Sequence, residues 1–277
     1  MKWNRKAGKR RFSQVFLIDG SVLSRIAGSV KCKPDDHIIE IGPGRGALTS
    51  YLLKKSSGVT AIEIDSELIR HLQEKFGDED RLKLINEDIL KVDIGGIVNE
   101  IGETTAVWLC GNLPYDIGTA ILLRLTPYRL RFGTMVFMLQ REVVDRIVSS
   151  PGGSQYGFIS AYTEYFFEKR KLFNVSPKSF RPSPAVHSTV MELKGKVTGD
   201  SPEFEEKLVD LLKISFAHKR KTLFNNLSSS GRIQADREEL VKLLNESGIE
   251  SLKRAEELDL NIFKKLSKEL IKRGIFT

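Results

Sequence analysis

The chain has 277 residues, of which 40% are apolar and 29% charged, and its formal net charge is +8. This balance describes a globular protein long enough for one large and one small domain, and it excludes a collagen-like or intrinsically disordered chain. No apolar run approaches the roughly 20 residues of a membrane span, no apolar stretch follows the basic first residues as in a secretory signal, and Cys32, Cys110 and four scattered histidines have no metal-ligand spacing.

These features predict a reducing, cytoplasmic setting, with no metal and no membrane partner. The charge is unevenly spread. Residues 1–11 hold six basic side chains and no acid, whereas residues 12–195 hold 22 of each sign and residues 196–277 hold 16 basic and 14 acidic. A basic arm on a neutral body points to a polyanionic partner, most directly nucleic acid. A solvated tail is the plainer alternative.

In chain order, apolar spacing predicts a helix over 20–31 and a buried strand over 37–41. A glycine turn and a helix from about 46 to 54 follow. Further strands are expected at 59–64, 82–86, 105–110 and 134–139, with Asp65 capping the helix after the second of the core strands. A helix starts near Arg141, and 159–167 with 188–193 reads as a closing antiparallel pair. Alternating strands and helices imply an α/β fold, a parallel sheet wrapped on both faces. A Gly- and Ser-containing stretch at 195–201 changes the pattern. Beyond it only helices are expected, at 203–217, 219–228, 236–247 and 259–273. The predicted organisation is a basic arm (1–11), a Rossmann-like domain (12–195) and a small all-helical C-terminal domain (196–277).

The chemistry-bearing residues fall at the carboxyl ends of successive strands, where open α/β sheets bind ligands. Gly42-Pro43-Gly44-Arg45-Gly46 ends the first core strand, and glycines let a backbone approach a ligand closely. Glu63 ends the second, placed to accept from both ribose hydroxyls of a nucleoside. Asp88 follows the third. Asn112-Leu113-Pro114-Tyr115 ends the next strand. There the Asn carbonyl and a nearby backbone carbonyl can accept from the exocyclic amine of a flat ring, on which Tyr can stack. Gly42-x-Gly44-x-x-Ala47 is compatible with a dinucleotide fingerprint, but Pro43 is unusual where a pyrophosphate needs backbone donors. The Glu-x-Gly-x-Gly-x-Gly pattern instead looks like the first motif of S-adenosylmethionine-dependent methyltransferases.

Over essentially its whole length the chain resembles the KsgA family of small-subunit (16S) rRNA adenine N6-dimethyltransferases. The likeness rests on Arg10-Arg11-Phe12-Ser13-Gln14-Val15-Phe16-Leu17-Ile18-Asp19, Gly111 to Tyr115, Leu139 to Val144, Tyr156-Gly157, Phe180 to Ser188, Arg220 to Leu223 and Arg254-Ala255-Glu256. The resemblance implies a cofactor site of Val15, Leu17, Gly42, Glu63, Asp88 and Asn112 for S-adenosylmethionine. It implies a catalytic set of Asn112, Leu113, Pro114 and Tyr115, with Phe180 over the second face of the base. Position 15 departs from the family, which usually has Asn or His where this chain has Val, so a side-chain hydrogen bond is lost there.

The implied activity is methylation of two adjacent adenosines in a hairpin loop near the 3′ end of small-subunit rRNA, during ribosome biogenesis. The expected partner is that rRNA or a pre-30S particle, and the protein is expected to be a monomer. Basic clusters at Lys169-Arg170-Lys171, Lys178 with Arg181, and Lys219-Arg220-Lys221 are candidate phosphate contacts. Two alternatives stay open: a large-subunit rRNA methyltransferase of the macrolide-resistance type, and a non-catalytic ribosome-assembly factor.

Overall fold

The computed structural model describes residues 15–114 and 117–276; the basic arm, the start of the N-terminal motif and Tyr115 lie outside them. Its centre is a seven-stranded sheet. The strands are β2 (His37–Ile41), β3 (Gly58–Glu63), β4 (Leu82–Asn86), β5 (Val107–Asn112), β6 (Phe132–Gln140), β7 (Phe167–Val175) and β9 (Ser188–Gly195), in the order β4-β3-β2-β5-β6-β9-β7. The strands from β4 to β6 run parallel, and β9 runs antiparallel to both β6 and β7. A separate two-stranded ribbon pairs β1 (Phe16–Leu17) with β8 (Phe180–Arg181).

Successive side chains of a strand point to opposite faces, and a parallel sheet needs both faces covered. The core divides accordingly. Ile38, Val59, Ala61, Cys110, Val136 and Met138 pack on one face with α1 (Gly20–Ser29), α2 (Thr49–Leu52) and the ribbon. Ile39, Ile41, Ile62, Leu109, Phe137 and Leu139 pack on the other. That second cluster covers α4 (Ile94–Ile101), α5 (Gly118–Leu125), α6 (Arg141–Ile147) and α7 (Phe158–Phe166). It runs on without a break into the C-terminal helices α8 (Pro202–Ser215), α9 (Leu223–Ser228), α10 (Arg237–Glu246) and α11 (Leu260–Lys272).

The helix starts follow from capping side chains. Asp19, Asp65, Asp93, Ser201, Thr222, Asp236 and Asp259 each accept a backbone N–H in the first turn of the helix that follows.

Three expectations are corrected. Residues 159–167, read as a strand, lie almost wholly in helix α7 (Phe158–Phe166), and β7 takes the place beside β9. The buried positions Ile159, Tyr162, Thr163 and Phe166 recur at helical spacing. The helix expected from 46 shrinks to α2, because Gly44 and Gly46 hold positive φ and keep the segment in turns. The tail helix expected from 219 starts only at Leu223. Helices α4 and α5 were not anticipated. In α4, Gly95 and Gly96 weaken the local signal and the Asp93 cap restores it.

The C-terminal helices are also tied to the sheet by charge. The buried Arg129 donates to Glu205 at 2.7 Å, to the Lys196 carbonyl at 3.2 Å, and lies over the Phe166 ring. Glu205→Ala strands this guanidinium. It is expected to cost about 2–3 kcal/mol, read as a lower urea midpoint at unchanged slope. An unshifted midpoint would show that the pair contributes nothing net.

Candidate active site

Strand register assembles the rim. Ile41 pairs with Ile62 on one side and Gly111 on the other, so the next residues, Gly42, Glu63 and Asn112, lie side by side; Glu63 pairs in turn with Asn86, two residues before Asp88. The structure therefore brings together the four strand-end positions expected from sequence. Alternation along β2, β3 and β5 places Glu40, Glu63 and Asn112 on the sheet face covered by α1, α2 and the ribbon.

Close approach of backbone is built in at two points. A Cβ on Gly111 would sit 2.4 Å from the Ile41 carbonyl oxygen, so only glycine allows β5 this near β2. Gly46, at φ +71°, lies against Phe76 and Leu72 of α3 (Ser66–Phe76), where a Cβ would stand 2.5 Å from the Phe76 ring. The loop between them is held by its neighbours. The Gly44 N–H donates to Glu63 Oε2 at 3.2 Å, and Lys75 Nζ donates to the carbonyls of Arg45 (3.0 Å) and Gly46 (2.9 Å).

The acids are mostly buried. Glu63, 7% exposed, also accepts the Asp65 N–H at 3.1 Å; burial raises its pKa and the backbone donors oppose that. Each of its oxygens keeps further acceptor capacity for a ligand hydroxyl. Asp88, equally buried, accepts the Leu90 N–H at 3.0 Å. Glu40 is 1% exposed and accepts from Thr49 Oγ1 at 2.6 Å. Burial pushes its pKa up to about 7, with the nearby Glu63 charge adding to the rise and Thr49 and Lys75 opposing it.

At the end of β5, Asn112 Oδ1 is buried and has no hydrogen-bond partner among the described residues. An unpaired buried acceptor is costly and calls for a donor from outside the fold. Leu113, 1% exposed, is fixed by its N–H to the Met138 carbonyl at 3.0 Å, and Pro114 follows at the surface.

The ribbon brings the N-terminal motif to the same rim. Leu17 pairs with Phe180, and both are core residues, 8% and 1% exposed; Val15 is half-buried just before them. Phe180 thus forms part of a packed wall with Val136, Met138 and Val190 rather than an open platform. The Ile18 N–H donates to the Ser179 carbonyl at 2.9 Å, and Ser179 Oγ donates to Asp19 Oδ2 at 3.0 Å. Phe16 lies over Gly44, with the Arg45 guanidinium 4.7 Å above its ring.

Sequence reasoning missed Lys75 and Glu40 as site residues. Glu40 opens the glycine motif and could have been singled out. Lys75 carries no signal, because its role depends on how α3 packs. No group of three or more His, Cys, Asp or Glu side chains converges among the described residues.

Comparison with known proteins agrees with this geometry. The family described as "Ribosomal RNA adenine dimethylase" matches residues 5–268. The chain is 37% identical over 260 residues to "Ribosomal RNA small subunit methyltransferase A" of Leuconostoc mesenteroides, covering 93% of this chain and 88% of that protein. Among solved structures it is similar to a dimethyladenosine transferase from Plasmodium falciparum, with a TM-score of 0.78 and 26% identity over 94% of this chain and 99% of that one. It also shares its fold with the 23S rRNA methyltransferase ErmE, with a TM-score of 0.65 and 22% identity over 92% and 99% of the two chains.

Glu40 gives a prediction with a definite sign. In the native protein its proton is held up to about pH 7, against 4.5 for the ordinary group. Between those values folding takes up a proton, so this residue lowers stability as pH rises from about 4.5 to about 7, with no further change above. Glu40→Gln keeps an acceptor for Thr49 and removes the titration. The stability difference between variant and wild type, from urea unfolding at pH 5 and pH 8, is expected to favour the variant more at pH 8. A pH-independent difference would mean the buried carboxyl does not titrate there.

Proposed function

Because the chain belongs to the ribosomal RNA adenine dimethylase family, we propose that its rim is the site of methyl transfer from S-adenosylmethionine to the exocyclic amines of adenosines in small-subunit rRNA. The observation that carries this reading is the buried, unpartnered Asn112 Oδ1 at the end of β5, beside a glycine loop and a ribose-type acid.

The residues fit the cofactor. A loop bare of side chains at Gly42, Gly44 and Gly46 leaves room for its amino-acid portion. Glu63 offers carboxylate oxygens to ribose hydroxyls, and Asp88 offers one to an adenine amine. The ribbon residues Val15 and Leu17 contribute backbone and apolar contact, since Val15 has no polar side-chain group. When bound, S-adenosylmethionine supplies a methyl group already activated on a sulfonium.

The protein's own task is then orientation. An adenine amine is a weak nucleophile because its lone pair is delocalised into the ring. Asn112 Oδ1 and the Leu113 carbonyl accept its hydrogens and favour a tetrahedral nitrogen whose lone pair faces the methyl. Pro114 holds that turn rigid. Positioning and electrostatics supply the rate, and no strong base is required, since the surplus proton passes to water. Tyr115 stacks on the extruded base. Phe180, buried as it is, backs the wall of the base pocket rather than offering a free face. The base-side and cofactor-side residues share one rim, which argues against a purely structural RNA-binding factor.

The finer partner is a pre-30S particle engaged by a monomer in the cytoplasm. Among the described residues no helix is long and apolar enough to cross a membrane, and the basic chain, with the exposed Lys219-Arg220-Lys221 beyond α8, suits a large polyanion.

Asn112→Ala is expected to lower single-turnover methyl transfer about 10²–10³-fold while RNA affinity stays within about threefold. The assay uses labelled S-adenosylmethionine, unmethylated small subunits and mass identification of the product nucleoside; turnover near wild type would remove the amide oxygen from the mechanism. Glu63→Ala is expected to weaken cofactor binding about tenfold or more, the loss of charge-assisted hydrogen bonds, in calorimetric titration without RNA. Equal affinity would place the ribose elsewhere.

A further inference from the structure

A second concavity lies away from the rim, where the turn before α7 meets the C-terminal helices. It encloses about 120 Å³, near the size of a single nucleobase. Tyr156 and Phe158 line it from the sheet side, Ser215, Phe216 and Asn226 from the helical side, and Lys219 and Lys221 stand at its edge. Tyr156 and Phe216 meet edge to face at 5.8 Å, so the lining is aromatic.

Three of these side chains carry polar atoms with nothing to bond. Tyr156 Oη, Ser215 Oγ and Asn226 Oδ1 are buried and lack a hydrogen-bond partner among the described residues, and their residues are 2%, 0% and 3% exposed. The Asn226 amide is oriented by its own nitrogen, which donates to the Ser215 and His218 carbonyls at 2.8 and 3.2 Å. That leaves its oxygen fixed as an acceptor. Tyr and Ser hydroxyls can each donate or accept. One fixed acceptor, two adaptable hydroxyls and aromatic walls form a set that reads the edge of a heteroaromatic ring.

The edge is cationic. Lys219 Nζ donates to the Ser154 carbonyl at 2.6 Å and lies 3.8 Å from Glu256, bridging two sides of the cavity. His218, Lys219, Arg220 and Lys221 are all exposed. A phosphate competes for such lysines, and releasing the Lys219 bridge opens the way in.

We propose that this interdomain cavity is a second base-binding site, which seats an unstacked nucleobase of the rRNA other than the adenosine being methylated. It rests on the rRNA substrate proposed above. A base seated there satisfies the three buried polar atoms and pins the C-terminal helices to the methyltransferase sheet. It fixes the RNA at two separated points, so that the rim receives one particular hairpin.

The test is Tyr156→Phe in the full-length chain, with unmethylated small-subunit rRNA and small subunits as ligands. The variant removes only a hydroxyl that has no hydrogen-bond partner among the described residues. The expected results are a thermal midpoint equal to or above wild type, RNA binding weakened about five- to tenfold, and an unchanged methylation rate at saturating RNA. In parallel, RNA carrying 4-thiouridine is expected to cross-link to peptides spanning 154–158 or 215–221, and less so in Ser215→Leu, which fills the cavity. Wild-type RNA affinity in Tyr156→Phe, or cross-links absent from those peptides, overturns the proposal and leaves a cavity holding water or a protein partner. Wild-type methylation of the same RNA is assayed alongside. Its absence would count against the proposed function, whereas intact methylation with unchanged affinity counts against the second site alone.

Discussion

The backbone contact between Gly111 and Ile41 is the constraint from which the site follows. The two strands are adjacent and parallel, and any side chain at 111 would meet the Ile41 carbonyl oxygen at 2.4 Å. With that register locked, the next residue on each strand is fixed at the rim. Asn112 therefore stands beside Gly42, and Glu63 stands on the other side of Gly42. Moving β5 by one residue would turn Asn112 to the opposite sheet face. A buried amide oxygen aimed with small tolerance is thus a consequence of sheet geometry, not of loop conformation.

The rim concentrates groups that a fold built only for stability would avoid. Glu40 and Glu63 are both nearly sealed, and the Glu63 charge raises the energy of ionising Glu40. Asn112 Oδ1 has no partner among the described residues, and an unpaired buried acceptor costs about 1–3 kcal/mol. Stabilising contacts sit elsewhere, in the two apolar clusters and at Arg129 and Glu205. The division fits a site whose polar atoms are completed by ligands, because a group already satisfied within the fold would have to give up a bond to recognise anything.

What the sequence revealed and what it hid divide along the range of the interactions. Gly42, Glu63, Asp88 and Asn112 were legible because each closely follows a short strand-like run of apolar residues, and strand ends in such a sheet converge. Helix α7 was misread because its aromatic residues mimic a strand locally, and only the burial of both its faces, against the sheet and against α8, makes a helix of that composition stable. Lys75 was invisible because its partners are main-chain carbonyls about 30 residues away. Phe180 was assigned through the family resemblance to the second face of the base, and nothing in the sequence indicates that it pairs with Leu17 and is buried in the same apolar cluster as Met138 and Val190.

The ribbon carries that last point further. It joins Asp19 to Ser179 across 160 positions of chain and lays Phe16 on the glycine loop. The wall of the rim is therefore closed by two segments far apart in the chain. Contacts of such long sequence separation are entropically expensive to make early. The ribbon joins the two segments through two register pairs and two further hydrogen bonds, and its Leu17 and Phe180 are buried in the apolar cluster of that sheet face. The division of labour follows: the sheet aims the amide, while the ribbon lays Phe16 against the glycine loop beside it.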